Sequence, residues 1–346
     1  MNEISIARPQ VGMNEAQGVI DVIKSKCIAQ GSKVDEFEIQ FADYIGAKYA
    51  VAVNSGTAAL HCAYLALGLK KGDEVITTPF TFRATISMIE AVGAIPVFVD
   101  IKDDFNIDEK LIEDAITKKT KAIVPVHLFG LPCNIDKITE IGKKYNLKVI
   151  EDAAQSCGAE YNGKKVGTFG DIGIFSFYPT KMITTGEGGM CVTNDIKIAE
   201  KIRMIRNHGM NKEGKFEMLG YNYRMTDIAA SIGLNQLEDI ESNIHKRQYI
   251  ATTYNYFLGK LVKIPRDTKN AIHVYNNYSF VVKNRDYVLN NLQANGIGAR
   301  VYYAESFANL SNANRIAKGI ISIPIRPNLM TEESNHILYN LQELLV

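Results

Sequence analysis

Long apolar runs are missing from this 346-residue sequence, so no segment offers the roughly 20 consecutive apolar residues of a membrane-spanning helix. The opening residues Met1 to Arg8 hold neither the basic nor the apolar region of a signal peptide. Cysteine is sparse. Cys27, Cys62, Cys133, Cys157 and Cys191 are odd in number and widely spaced, no CxxC pair occurs, and the six histidines show no HxxxH or HExxH spacing. These patterns point to no metal site, and free thiols suit a reducing compartment, so a soluble cytoplasmic protein is expected. An excess of one charge is absent too: 39 basic residues face 38 acidic ones, for a net charge of +1. That balance leaves no electrostatic footprint for nucleic acid or an anionic membrane. The densest basic cluster, Lys118-Lys119-Thr120-Lys121, reads as a solvated helix end. No Walker triplet of glycine, lysine and Ser/Thr is found. Gly186-Glu187-Gly188-Gly189 is not a dinucleotide fingerprint, because it precedes the strand-like Met190-Cys191-Val192-Thr193.

What is present is ordinary globular material, with 46% apolar and 22% charged residues in a length that suggests about two domains. From about residue 47 to 195, short Val/Ile-rich strands alternate with amphipathic helical stretches. Asp73 to Pro79, Ala94 to Asp100, Ala122 to His127 and Lys148 to Asp152 read as strands, and Ile135 to Tyr145 as a helix. This pattern predicts an α/β fold: a large, mostly parallel sheet with helices on both faces, over residues 1–235 with the N-terminal segment. Residues 236–346 predict a smaller C-terminal α+β domain. Its strands are Tyr278 to Val282 and Gly298 to Tyr303, and its helices Arg285 to Asn295 and Thr331 to Leu345. Apolar spacing predicts one long helix from Ile228 to Phe257 that joins the two domains.

Function in such sheets collects at the C-terminal ends of strands, where Ser55, Thr77-Thr78, His127, Asp152 and Ser176 fall. The apolar run Tyr49 to Val53 leads into Asn54-Ser55-Gly56-Thr57 and an Ala/Leu-rich helix closed by Gly68. Free amides and the helix dipole at that N-terminus make an anion site, although a plain Ser or Thr cap needs no ligand. Lys181 follows Ser176-Phe177-Tyr178-Pro179-Thr180, and the strand Val149-Ile150-Glu151-Asp152 ends in carboxylates. Pyridoxal phosphate (PLP) chemistry needs an amine for a Schiff base and a carboxylate for the pyridinium nitrogen. Either motif alone reads more simply as a surface charge or a loop residue. The phosphate-type helix start, in the right order along the chain, tips the balance.

With these motifs, the chain resembles the DegT/DnrJ/StrS family of PLP-dependent nucleotide-sugar aminotransferases over nearly its full length. The matching segments include Arg8-Pro9, Asn54 to His61, Gly72 to Ile76, Pro79-Phe80-Thr81-Phe82, Val126 to Gly130, Glu151 to Ser156, Arg206 to Met210 and Gly220 to Asp227. The resemblance implies a fold-type I PLP transferase working as a homodimer. Lys181 would carry the cofactor and Asp152 would hold the ring nitrogen. Phe82 would stack on one ring face, Gln155 would contact the other, and Gly56, Thr57 and Ser176 would hold the phosphate. Asn222 would reach the neighbouring subunit's phosphate, making composite active sites. Tyr178 and Arg224 are the candidate substrate contacts. The implied reaction is amino transfer, with glutamate as donor, to a keto group at C4 of a nucleotide-linked deoxysugar.

Two alternatives share the fold. A PLP-dependent sugar dehydratase would carry histidine where this chain has Lys181. A non-catalytic regulatory relative that binds PLP or a sugar nucleotide would not need Asp152, Ser176 and Lys181 together. The sequence also departs from the family in Ala304 to Ile323, a short Asn/Ala-rich stretch where relatives carry a longer, proline-rich segment that covers the sugar nucleotide.

Overall fold

The structure is a computed structural model that describes residues 3–265 and 270–345. Its centre is a seven-stranded sheet in the order β1-β9-β8-β5-β4-β2-β3. These strands are β1 (Tyr49–Val53), β2 (Glu74–Thr77), β3 (Ile95–Phe98), β4 (Thr120–Val124), β5 (Lys148–Asp152), β8 (Ile172–Ser176) and β9 (Gly189–Thr193). The short β6 (Glu160–Tyr161) and β7 (Lys164–Lys165) pair with β10 (Ala271–Ile272) in a separate ribbon. β3, β2, β4, β5 and β8 are mutually parallel, and β9 runs antiparallel to both β1 and β8.

Alternation along each strand feeds two cores. In β8, Ile172 and Ile174 pack into one face while Phe175 packs into the other; in β1, Val51 and Val53 oppose Ala50 and Ala52. The first face is covered by α3 (Gly56–Ala66), α4 (Arg83–Ala91) and α6 (Ile196–Arg206). The second meets α2 (Ser32–Ile45), α5 (Ile135–Tyr145) and α7 (Asp227–Glu238), around the interlocked rings of Phe37, Phe41, Phe175 and Phe177. α1 (Met13–Ser25) lies outside, with its Gly18 close against Ser231 and Asn235 of α7. Burial on both faces is why these strands read as continuous apolar runs.

The expected helix from Ile228 to Phe257 is two helices, because the chain breaks at Asp239 between α7 and α8 (Ile240–Leu258). Asp239, at φ −94° and ψ −1°, is not glycine or proline, and Leu237 and Ile240 on either side are both buried. Apolar spacing therefore continues through the bend and conceals it. α8 spans two cores: Ile240 and Ile244 belong to the one beneath α2, α5 and α7, while Ile250, Tyr254 and Leu258 belong to a third. That third core gathers β11 (Tyr278–Val281), α9 (Arg285–Ala294), β12 (Ile320–Ile323) and α11 (Thr331–Leu345). Ile4 belongs to it as well and makes a parallel bridge with Ile297.

One more expectation fails locally. Gly298 to Tyr303 is an extended connection rather than a strand. The Gly298 amide goes to Ile4, and only Arg300 bridges the sheet, at Ser322. The stretch from Ala304 to Ile323, unassigned from sequence, holds α10 (Ser311–Gly319) and β12. Asp100 fixes α10 by accepting from the amides of Asn312 and Ala313, both at 2.9 Å.

Candidate active site

β9 brings the phosphate-type turn and the lysine segment together. Its Gly189 pairs with Val53 on one side and Ser176 on the other, so the ends of β1 and β8 flank one glycine. A Cβ on Gly189 would stand 2.4 Å from the Ser55 carbonyl oxygen, which only glycine tolerates. Ser55 caps α3, its hydroxyl accepting from the Ala58 amide at 3.1 Å. Gly56 packs so tightly on β8 that an added Cβ would lie 2.8 Å from Cβ of Ser176. Thr57 follows, exposed in the first turn. The C-terminal end of α3 is closed by paired bonds, Gly68 N–H to Leu65 and Leu69 N–H to Tyr64, with Gly68 at φ +78°. This is the glycine stop read from the sequence. The helix start is thus an anion-ready turn, with a serine hydroxyl from β8 beside it.

Asp152 ends β5, pairs with Ile174 of β8, and is buried. Its Oδ2 accepts from Thr85 Oγ1 at 2.8 Å, and its Oδ1 from the Ala154 amide at 3.2 Å. Burial raises its pKa above the ordinary carboxylate value; Thr85, the Ala154 amide, Lys181 and His127 oppose the rise. Burial likewise lowers Lys181 to about 8, against the opposing field of Asp152. The two groups therefore sense each other across the site.

Glu151 points the other way, as strand alternation requires. It accepts from the amides of Gly167, Phe169 and Gly170, each at 2.7 Å, and lies 3.1 Å from His127 Nε2. The Cys133 amide donates to His127 Nδ1, which leaves the ring proton on Nε2 to be donated to Glu151. This buried pair anchors the 167–170 turn and stands behind Asp152.

The remaining predicted residues divide. Gln155 is buried, accepting from the Phe129 amide at 2.8 Å and donating to the Tyr303 hydroxyl at 2.8 Å. Phe82 stands at the start of α4, 64% exposed, and Tyr178 is 48% exposed, so both rings are available to a ligand. Arg224 Nη1 donates to Asn207 Oδ1 at 2.7 Å. Asn222 is exposed, bridges Asn207, and takes a 3.4 Å bond on its carbonyl from Asn54 of the same chain. Thr85 and Tyr303 were not singled out from the sequence. Nothing in local spacing separates Thr85 from any buried helix threonine, and only its contact with Asp152 reveals it.

The chain matches the model of the DegT/DnrJ/EryC1/StrS aminotransferase family over residues 9–342. It belongs to that family. A GDP-perosamine synthase from Caulobacter vibrioides is 39% identical, over 99% of this chain and 98% of the relative. UDP-4-amino-4,6-dideoxy-N-acetyl-beta-L-altrosamine transaminase of Campylobacter jejuni is 35% identical, over 96% of this chain and 95% of the relative. The solved structure of Helicobacter pylori PseC, described as an aminotransferase involved in the biosynthesis of pseudoaminic acid, matches with a TM-score of 0.93. It is 31% identical and covers 99% of both chains. The chain is a fold-type I, PLP-dependent aminotransferase. The residues present fit that cofactor: a carboxylate raised by burial suits a ring N–H, and the Gly56 and Ser176 contact shapes a turn for phosphate. No described helix is long and apolar enough to cross a membrane, and no described group of His, Cys, Asp and Glu could hold a metal ion.

Proposed function

We propose that this enzyme transfers an amino group from glutamate to the C4 keto group of a nucleotide-linked deoxysugar, as a homodimer with composite sites. The observation that carries the reading is the α3 N-terminus packed on Ser176 of β8, next to the strand end that carries Asp152, with Lys181 within that carboxylate's field. The names of the Caulobacter and Campylobacter relatives support the sugar substrate, and the second name supports C4. Five unpaired cysteines, four of them buried, support a cytoplasmic setting.

PLP, when bound, supplies an electron sink that stabilises negative charge at the donor carbon. Asp152 would hold the ring nitrogen by a charge-assisted hydrogen bond, a contact worth about 1.5–3 kcal/mol in general. Thr85 and the Ala154 amide each donate to one oxygen of that carboxylate. The amides of Gly56 and Thr57 and the Ser176 hydroxyl would hold the phosphate. Phe82 and Gln155 would hold the ring, and Asn222 would serve the partner's phosphate. With its pKa lowered to about 8, Lys181 is partly neutral near physiological pH and can both attach the cofactor and carry a proton. Tyr178 and Arg224 are assigned to substrate. A panel of nucleotide-linked keto sugars, incubated with glutamate and followed by mass spectrometry, tests the reading. Amination of a 4-keto sugar is the expected result, and turnover of 3-keto sugars alone would move the assignment to C3.

A further inference from the structure

A buried cation with no counter-ion among the described residues lies in α8. Arg247 is 7% exposed, and its Nη1 donates to the carbonyls of Ile325 at 2.6 Å, Tyr275 at 3.2 Å and Asn276 at 3.4 Å. Among the described residues no carboxylate pairs with it, and its Nε has no hydrogen-bond partner. Burial alone lowers its pKa to about 10. Buried charges are ordinarily paired, because an unpaired one carries most of its desolvation cost.

A second unmatched group is next to it. Asn276 is 6% exposed, and its Oδ1 has no partner while its Nδ2 bonds Asn277 at 2.6 Å. An amide can be placed either way round, so one end of this side chain lacks a partner in both orientations. Arg247 and Asn276 line one cavity together with Lys181, Asn243 and Arg8, and no Asp or Glu among the described residues contributes to its wall. Arg8 is exposed and makes no ion pair among the described residues.

We propose that this cavity receives the carboxylates of the amino donor, with Arg247 holding one of them and the exposed Arg8 meeting the second. The inference rests on Lys181 being the amine at which the donor reacts, since the same lysine lines the cavity. One buried guanidinium flanked by neutral amides matches one carboxylate in charge and in its capacity for paired N–H donors. Two separated cations, one buried and one exposed, suit a dicarboxylic amino acid better than a monocarboxylic one.

The three carbonyl contacts also make Arg247 a clasp between α8 and the C-terminal unit, so the test must separate clasp from ligand site. The probe is glutarate, a five-carbon dicarboxylate with no amine to transfer, titrated calorimetrically into the PLP-loaded protein. Wild type should bind it saturably. Asn276→Asp places a carboxylate beside Arg247, keeps the clasp, and should retain or raise Tm while weakening glutarate about tenfold or more. Arg247→Lys should weaken it comparably, and Arg8→Gln should weaken glutarate more than butyrate. Unchanged glutarate affinity in Asn276→Asp would overturn the proposal. So would a wild type that fails to bind glutarate yet still transfers the amino group of glutamate; that result sinks the pocket and leaves the aminotransferase reading standing. If pyrophosphate rather than glutarate loses affinity in both variants, the cavity is a diphosphate site and the proposal falls. Glutarate binding without transfer to any nucleotide sugar would leave the pocket standing and sink the sugar substrate.

Discussion

The hydroxyl of Thr85 donates to Asp152 Oδ2 at 2.8 Å and sits 3.0 Å from the hydroxyl of Thr81, so a buried file of two threonines ends on the carboxylate. This file, rather than a charged neighbour, orients Asp152. Thr85→Val keeps the shape and removes the donor, which should cost about 1–3 kcal/mol at the site. PLP affinity, followed by the visible absorbance of the bound cofactor, should fall about tenfold, and Thr85→Ser should restore it. Equal affinity in the valine variant would mean that the Ala154 amide suffices.

Reduction of the loaded enzyme with borohydride, followed by peptide mapping, should place the phosphopyridoxyl group on Lys181. With the amine lowered to about 8, its neutral fraction grows as pH rises through that value. Capture of PLP by the cofactor-free protein should therefore accelerate between about pH 7 and 9, short of the usual lysine range near 10.4. Between about 8 and the unfolded lysine value, the unfolded chain binds the extra proton, so the cofactor-free protein should gain stability as pH rises. Lys181→Met should abolish both dependences, and Lys181→Ala should lose at least about 10²–10⁴-fold in rate.

Gly56→Ala would push a methyl group to 2.8 Å from Cβ of Ser176. Overpacking of this kind costs about 1–3 kcal/mol, so Tm should drop and PLP affinity with it. Adding Ser176→Gly removes the obstruction and should recover Tm, but not affinity, because the phosphate-side hydroxyl is gone. Recovery of both would show that Ser176 only fills space.

Composite sites have their own signature. Lys181→Ala and Asn222→Ala chains, each nearly inactive alone, should regain activity when mixed and allowed to exchange subunits. One site of the mixed dimer keeps both groups and the other loses both, so activity per mixed dimer should approach about half of wild type. Complete exchange without recovery, together with weak PLP retention by Asn222→Ala alone, would place the asparagine's role within its own subunit beside Asn54.

Much of this arrangement was legible in the residues. α5 and α11 have the bounds that apolar spacing predicts, Gly68 stops α3 as expected, and Ser55, Asp152 and Ser176 stand at strand ends. These features depend on local alternation, caps and burial on two faces. The bend at Asp239 escaped because burial continues across it, and the 298–303 connection escaped because Val301, Tyr302 and Tyr303 are strand-type residues although only Arg300 joins a ladder. α10 is short, and its N-terminus is secured by Asp100, 212 residues earlier, a contact that no nearby residue announces. Thr85 and Arg247 matter through what they touch or fail to touch, and a sequence does not display missing counter-ions.

The bridge between Ile4 and Ile297 has a consequence for how the molecule is made. Ile4 emerges from the ribosome long before Ile297, and its amide and carbonyl find their partners, Gly296 and Gly298, only after residue 298 has been made. The sheet with its turn around Ser55 can assemble while Ile4 still waits. Pairing across such a sequence distance carries the loop-closure cost of the whole intervening chain. A chain halted before residue 296 would lack both partners of Ile4.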